Sequence, residues 1–161
     1  MKYLFLFLFI FCLSSASYCQ QLSLEYFEKS SSNSSPDYNN ILTQKGFQPD
    51  SDIVQVNYHK YSFVNKNASE RIEWISATDK EKAKTYTIRY YLPQKKNYKY
   101  FIRAIKKSTY KKQSSTLYRF NANSYSYQSF LLNGDLLFNN QKYYLITFTK
   151  FEGKELSMPE K

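Results

Sequence analysis

Few side chains in this 161-residue chain could do acid–base chemistry. The only histidine is His59, which lies next to Lys60 in a segment with strand character. A serine hydrolase of the triad type needs a histidine base, an acid that orients it and an activated serine. The G-x-S-x-G turn that presents such a serine does not occur in the sequence. We therefore interpret His59 as a surface or sheet-packing residue.

Two carboxylate pairs could in principle flank a scissile bond, as the two acids of a glycosidase do. Glu70 and Glu73 belong to one predicted strand, and Asp50 and Asp52 lie nearby in sequence. A spacing of three places Glu70 and Glu73 on opposite faces of a strand, so we interpret them as residues of a solvated strand edge. Because only three glycines are present, phosphate-cradling loops are not expected either. We predict no catalytic residues and no enzyme.

The first nineteen residues have the organisation of a secretory signal peptide. Lys2 precedes an apolar run from Tyr3 to Leu13, and small residues follow. The run is too short for the roughly 20 residues of a membrane-spanning helix. Cleavage after Ala16 and cleavage after Cys19 both remain open. We expect a secreted or periplasmic protein, with no transmembrane helix after signal removal.

Both cysteines, Cys12 and Cys19, lie within this predicted signal peptide. With cleavage after Cys19, the exported chain would therefore have no disulfide and no thiolate ligand. A single histidine cannot complete a zinc site on its own. We expect no metal site and no cofactor.

Positive charge is concentrated in the second half of the chain. Residues 20–94 contain nine acidic and nine basic side chains, whereas residues 95–151 contain eleven basic side chains and one acid, Asp135. Eight of these bases lie between residues 95 and 112 and form the candidate polyanion-binding set: Lys95, Lys96, Lys99, Arg103, Lys106, Lys107, Lys111 and Lys112.

The same stretch predicts an amphipathic helix. Tyr98, Phe101, Ile102 and Ile105 follow the i, i+3, i+4, i+7 spacing of an apolar helix face. Four of the bases form a ridge beside that stripe: Lys95, Lys99, Arg103 and Lys106. The basic side of the helix could bind an anionic lipid surface or an acidic glycan. Aromatic residues among the bases also suit nucleic acid, but export argues against that partner. A solvated helix face is the alternative interpretation.

Tyrosine is the other abundant feature, with 17 in the chain. On strand alternation Tyr125 and Tyr127 share one face, whereas Tyr90 and Tyr91 point to opposite faces. Exposed tyrosines are favoured contact residues at protein interfaces. We therefore predict Tyr125 and Tyr127 as candidate partner-binding residues.

The first half of the chain reads as helix, helix and then strands. "QLSLEYFEK" and "PDYNNILTQKG" predict two short helices. The segments 53–64, 70–77 and 84–92 are rich in β-branched and aromatic residues and predict three strands.

The second half repeats this plan after the basic helix. Four strand-like runs follow: "TLYRFN", "SYSYQSFLL", "DLLFN" and "KYYLITFTKF". Asn133-Gly134 predicts a tight hairpin between the second and third runs, and Asn139-Asn140 predicts the next turn. Residues 152–161 are charged and predict a flexible C-terminal tail.

The element order predicts one α+β domain over residues 20–151, with helices packed on an antiparallel sheet. Segments 22–92 and 95–151 each place a helix before a β-meander, at an offset of about sixty residues. They could be tandem repeats, or two similar layouts that arose by coincidence.

Tandem helix-then-meander units in a small exported protein resemble the β-lactamase-inhibitor-protein architecture. The resemblance rests on element order over most of the predicted exported chain, and no binding motif matches. It implies a protein that binds and blocks enzymes through an exposed sheet face. The disulfides usual in that family cannot form here, because both cysteines precede residue 20.

Two functional classes follow from these observations. The first is an exported, non-enzymatic binding module that engages or inhibits a protein partner through an exposed sheet face. The second is an envelope-associated protein that docks on polyanions through residues 95–112. We prefer the first.

Overall fold

The computed structural model describes residues 22–30, 35–67, 69–79, 83–121 and 126–153. Within these ranges the chain is an α+β protein with three helices and one antiparallel sheet of eight strands. The helices are α1 (Leu24–Ser30), α2 (Ser35–Gln44) and α3 (Lys95–Lys107). The strands are β1 (Gln48–Gln55), β2 (Tyr58–Asn65), β3 (Glu70–Thr78), β4 (Lys84–Leu92), β5 (Lys111–Lys112), β6 (Leu117–Asn121), β7 (Ser126–Phe138) and β8 (Gln141–Glu152). The predicted signal peptide and Tyr125 lie outside the described residues.

The sheet is built from two meanders that meet at their last strands. Its order is β1-β2-β3-β4-β8-β7-β6-β5. Strands that are consecutive in the chain are therefore neighbours in the sheet within β1–β4 and within β5–β8. The junction is the antiparallel β4–β8 pair, whose register runs from Lys84 opposite Glu152 to Leu92 opposite Tyr144. Nine residues of β4 pair with nine residues of β8, and this pairing joins the two halves into one continuous sheet.

One face of the sheet carries the main core, and we call it the core face. Phe27 of α1 is fully buried, and its ring lies 5.7 Å from that of Phe101 of α3. The same ring lies 5.9 Å from Phe130 and 6.2 Å from Phe148, in β7 and β8. Edge-on and tilted aromatic contacts at these distances stabilise a core beyond the area that they bury. The described core is therefore built largely from Phe and Tyr side chains.

Helix α3 follows its predicted apolar stripe. Phe101 and Ile105 are fully buried. The Tyr98 ring stacks on the ring of Tyr144 in β8, with 5.2 Å between the ring centroids. The helix ends at Ser108, whose Oγ donates a hydrogen bond of 2.6 Å to the Ile105 carbonyl. The prediction that the basic helix runs to residue 112 is therefore wrong, because Lys111 and Lys112 form the edge strand β5.

The predicted strand 53–64 is two strands. A turn at Val56 and Asn57 separates β1 from β2, and Asn57 adopts φ 63°. Asparagine tolerates this left-handed conformation better than other non-glycine residues. The strand-forming composition on both sides of Asn57 concealed the turn.

The predicted hairpin at Asn133-Gly134 is also wrong, because β7 continues through both residues. The register with β8 shifts between Asn133 and Leu136, which is a β-bulge, and Asp135 has φ 55°. The turn falls instead at Asn139-Asn140, as predicted, with φ of 49° and 60°. Two successive positive φ values are the signature of the type I′ turn that suits a two-residue hairpin.

The last strand is longer than predicted. Strand β8 includes Glu152, which pairs with Lys84 of β4 and Ser126 of β7. The predicted flexible tail therefore cannot begin at residue 152. The rest of that tail, residues 154–161, lies outside the described residues.

Candidate functional site

The face of the sheet opposite the core face presents the richest chemistry, and we call it the second face. Antiparallel register assigns the side chains to it, because residues that pair across strands share a face. From β2, β3 and β4 it carries Lys60, Ser62, Arg71, Glu73, Thr87, Arg89 and Tyr91. From β5 to β8 it carries Lys111, Arg119, Tyr127, Ser129, Leu131, Leu136, Phe138, Tyr143, Leu145, Thr147, Thr149 and Phe151.

An apolar cluster occupies one part of the second face. Tyr91, Tyr143 and Leu145 are buried, and Leu136 and Phe138 pack against them. The Tyr91 ring lies 5.8 Å from that of Phe138 and 6.1 Å from that of Tyr143. These side chains bury one another without a contribution from the described helices. The side chains of this cluster are therefore held in place by their mutual packing, and tyrosine hydroxyls lie at its margin.

A group of charged residues adjoins this cluster, centred on Glu73. The Glu73 carboxylate accepts a hydrogen bond of 2.9 Å from Tyr91 and lies 2.7 Å from Lys60 Nζ. Arg89 Nη1 lies 3.5 Å and Arg71 Nε 3.7 Å from the same carboxylate. Arg71 also bonds to Asp50 at 3.0 Å, and its guanidinium lies 5.3 Å from the Phe138 ring centroid.

The ionised form of Glu73 is stabilised in this setting. Burial raises the pKa of the Glu73 carboxyl, but the bonds from Lys60 and Tyr91 and the charges of Lys60 and Arg71 outweigh it, so the pKa falls below its ordinary value. Burial, and then the neighbouring Glu73 charge, raise the pKa of Tyr91 to about 12. Glu73 is therefore ionised and Tyr91 neutral at physiological pH.

This arrangement overturns the interpretation of Glu70 and Glu73 as a solvated strand edge. Strand β3 lies between β2 and β4, and the two residues are 3% and 4% exposed. Glu70 accepts a hydrogen bond of 2.5 Å from Tyr90, so the two Glu–Tyr pairs lie on opposite faces of β3 and β4. The predicted opposite orientations were right, but both carboxyl groups are buried, because each is hydrogen-bonded to a tyrosine and Glu73 is also paired with basic side chains.

Short polar side chains run through the middle of the second face. Thr87 pairs with Thr149, which pairs in turn with Ser129, and Arg89 pairs with Thr147. The apolar cluster lies on one side of these polar residues. On their other side the Tyr127 ring stacks on the Phe151 ring, with 5.3 Å between the ring centroids. Short residues between bulky ones leave room for the side chains of a partner, and their hydroxyls can both donate and accept hydrogen bonds.

The predicted polyanion-binding residues fall on two elements. Lys95, Lys96, Lys99, Arg103, Lys106 and Lys107 lie on α3, and all six are exposed. None of the six makes an ion pair within the part of the chain that the structure describes. Lys111 and Lys112 are exposed on β5, and their side chains belong to opposite faces of the sheet.

The predicted partner-binding tyrosines can be compared only in part. Tyr127 is half-buried on the second face, between the stacked Phe151 ring and the Arg119 guanidinium, which lies 4.5 Å from the Tyr127 ring centroid. Tyr125 is outside the described residues. The sequence patterns did not point to Tyr91, Tyr143 or the arginines of this face, because only strand register shows that they meet.

His59 belongs to the core face and is half-buried. Its Nε2 lies 2.8 Å from Asp52 Oδ1, and its ring centroid lies 4.0 Å from that of Tyr61. The Trp74 ring lies 6.4 Å away. These contacts fit a histidine that packs on the sheet and holds an edge-strand carboxylate.

The turn between β1 and β2 carries a separate exposed apolar surface. Ile53, Val54 and Val56 are 43%, 69% and 90% exposed, and β1 is an edge strand. An exposed apolar edge strand can accept a further strand from another chain. The bulge between Pro49 and Ser51 shortens the regular part of this edge.

Metal-binding clusters and membrane-spanning helices are both absent from the described ranges. No three His, Cys, Asp or Glu residues in those ranges are grouped to hold a metal ion. Nor do the same ranges contain a helix long and apolar enough to cross a membrane. No protein-family model, curated protein or solved structure matches this chain.

Proposed function

We propose that this chain is an exported binding module that engages, and in doing so can inhibit, a protein partner through the second face. The observation that carries the proposal is the composition of that face, where an apolar aromatic cluster adjoins fixed arginines and a row of threonine hydroxyls. Tyrosine and arginine are enriched among the residues that dominate interface binding energy. The N-terminal sequence pattern supports the export part of the proposal.

The charge of the second face indicates the chemistry of the partner. Its basic side chains are Lys60, Arg71, Arg89, Lys111 and Arg119. Only two carboxylates oppose them there among the described residues, Glu73 and Asp50. Interfaces are complementary in electrostatic potential, so the partner is expected to present Asp or Glu beside apolar side chains.

A selection from a random peptide library displayed on phage tests this function, because it does not require the partner to be identified first. Peptides that bind the purified protein should be enriched in acidic and in aromatic or aliphatic residues. Binding should weaken when the face is altered by Arg89→Gln, which removes an exposed cation, or by Leu131→Asp, which adds a negative charge. Arg103→Gln on α3 is the matched control and should leave binding unchanged. Peptides that bind all four proteins equally would contradict the proposal.

A second candidate function is polyanion docking through α3. The observation that favours it is the six exposed bases of this helix, for which no ion pair is found in the described part of the chain. Lys95 and Lys96 occupy the first turn, where no acid is present and where the helix dipole disfavours positive charge. Each such placement costs about 0.3–1 kcal/mol, which a bound polyanion would offset.

Co-sedimentation with anionic vesicles and with acidic glycans, at low and moderate salt, tests this second function. The triple variant Lys99→Glu, Arg103→Glu, Lys106→Glu should abolish binding, and salt should weaken the binding of the wild type. If neither protein binds at low salt, the basic side of α3 is a solvated helix face.

We also propose that the two halves of the chain are tandem units, as the resemblance to the β-lactamase-inhibitor-protein architecture implies. Two four-stranded meanders that join through their last strands support this proposal. An inhibition assay against a panel of secreted hydrolases, with a β-lactamase among them, tests the functional side of the resemblance. Inhibition that Arg89→Gln weakens would support it, and the absence of inhibition across the panel would count against it.

A further inference from the structure

We infer that a pocket beside strands β5 and β6 binds a carboxylate, supplied by an acidic side chain of the protein partner. The pocket has a volume of about 470 Å³ and is lined by Thr109, Lys111, Gln113, Arg119, Phe120 and Asn121. Two cations, one hydroxyl and two amides line it, and no carboxylate does. All of the polar groups except the amide oxygens can donate a hydrogen bond to an anion.

The two cations of this pocket are paired across neighbouring strands. Lys111 of β5 and Arg119 of β6 are cross-strand partners, so their side chains share one face. Like charges in this position destabilise a sheet. Neither residue makes an ion pair with a residue that the structure describes. A bound anion between them would remove the repulsion and replace it with two attractive contacts.

The Arg119 guanidinium is held in place before any ligand arrives. It lies 4.5 Å from the centroid of the Tyr127 ring, and Tyr127 is itself stacked on Phe151 with an interplanar angle of 19°. Arg119 Nε is buried and has no hydrogen-bond partner in the described structure. A fixed guanidinium with unused donors binds a carboxylate more strongly than a mobile one, since less rotamer entropy is lost.

The position of the pocket favours a protein partner as the source of the carboxylate. Lys111, Arg119 and Tyr127 belong to the second face, so a partner that covers that face also reaches the pocket. This inference therefore rests on the proposed function and names one contact within it. It also brings together Lys111 and Tyr127, which the sequence patterns assign to different kinds of site.

A direct test titrates the purified protein with small probes and follows the Nε–Hε signal of Arg119 by NMR. The probe is N-acetylglutamic acid α-amide, whose only charge is a side-chain carboxylate, and the matched control probe is N-acetylglutamine amide. The acidic probe should shift the Arg119 signal, and the neutral probe should not. Glucuronate tests an acidic sugar as the alternative source of the carboxylate.

Neighbouring lysines provide matched variants. Lys111→Gln should weaken binding of the acidic probe about tenfold, because one charge-assisted hydrogen bond is lost. Lys112→Gln should not change it, because Lys112 lies on the opposite face. Arg119→Gln should abolish binding, which is then followed through the backbone signals of Gln113.

Three results would overturn the inference: no response to the acidic probe, an equal effect of the two lysine variants, or a response to glucuronate without one to the glutamate probe. Because this readout needs no selected peptide, a negative result here leaves the peptide selection on the rest of the second face as a separate test. A negative selection with a positive probe titration would instead refute the proposed function, and with it the protein partner as the source of the carboxylate, while the pocket itself would remain a carboxylate site.

Discussion

Tyr91 donates a hydrogen bond of 2.9 Å to Glu73, and both side chains are buried on the second face. The adjacent residue Tyr90 makes the equivalent bond to Glu70 on the core face. Because side chains alternate along a strand, the adjacent residues Tyr90 and Tyr91 lie on opposite faces of the sheet. Glu70 and Glu73 are three residues apart, so they also lie on opposite faces, each on the side of its tyrosine partner. Two buried carboxyl groups are thereby held by a single pair of strands, β3 and β4.

Removal of the Tyr91 hydroxyl should destabilise the protein measurably. Tyr91→Phe leaves Glu73 with one hydrogen bond fewer, which costs about 1–3 kcal/mol in the free energy of unfolding. Urea denaturation of Tyr91→Phe, Glu73→Gln and the double variant gives the coupling energy between the two residues. Tyr100→Phe, at an exposed position, is the control and should stay within about 0.5 kcal/mol of the wild type. Additive effects of the two substitutions would contradict the contact.

The raised pKa of Tyr91 predicts a loss of stability in alkaline solution. Tyr91 has a pKa of about 12 in the folded protein against 10.0 for the free side chain. The stability that this difference contributes is complete below about pH 10 and is lost as the pH rises toward 12. The free energy of unfolding should therefore fall less for Tyr91→Phe than for the wild type between about pH 9 and about pH 11. Identical falls in the two proteins would show that Tyr91 ionises normally.

Gly46 and Gly134 have different backbone conformations, so the same substitution at each position tests the fold of the backbone there. Gly46 has φ +82°, where a side chain is strained, and a Cβ would lie 3.4 Å from Asn65 Nδ2. Gly134 has no atom within 4 Å of a Cβ position and no positive φ. Gly46→Ala should cost about 1 kcal/mol or more, and Gly134→Ala should be neutral or slightly stabilising. A large loss from Gly134→Ala would instead favour the hairpin that the sequence predicts.

Reversal of charge on α3 should leave the fold intact. Lys99, Arg103 and Lys106 are exposed and make no ion pair in the described residues. The triple glutamate variant should therefore unfold within about 1 kcal/mol of the wild type. Thermal and urea denaturation check this before the vesicle and glycan binding assays are interpreted. A larger loss would mean that the bases support the helix itself.

Local patterns predicted the elements whose periodicity is strong. The stripe from Tyr98 to Ile105 identified α3, and β-branched and aromatic composition identified β3, β4 and β8. Asn139-Asn140 was found because asparagine tolerates positive φ. The Asn133-Gly134 prediction failed because the pairing of β7 with β8 continues through a bulge, which local sequence does not reveal.

The candidate site was much harder to predict, because its residues meet only through strand register. Tyr91 and Tyr143 are far apart in the chain and approach each other only because β4 pairs with β8. Glu73 resembled a solvated acid in sequence, and only its contacts with Lys60 and Tyr91 explain its burial. Composition indicated the excess of positive charge, but not the face on which five of the bases lie.

Binding of a protein partner to the second face is tested most directly by a map of one bound peptide. An enriched acidic peptide from the phage selection is titrated into isotope-labelled protein, and amide shifts are recorded by NMR. Shifts centred on Thr87, Leu131 and Thr147 are predicted, because these residues lie between the apolar cluster and Tyr127. Shifts confined to α3 or to the exposed β1–β2 turn would contradict the claim and move the binding site to that surface.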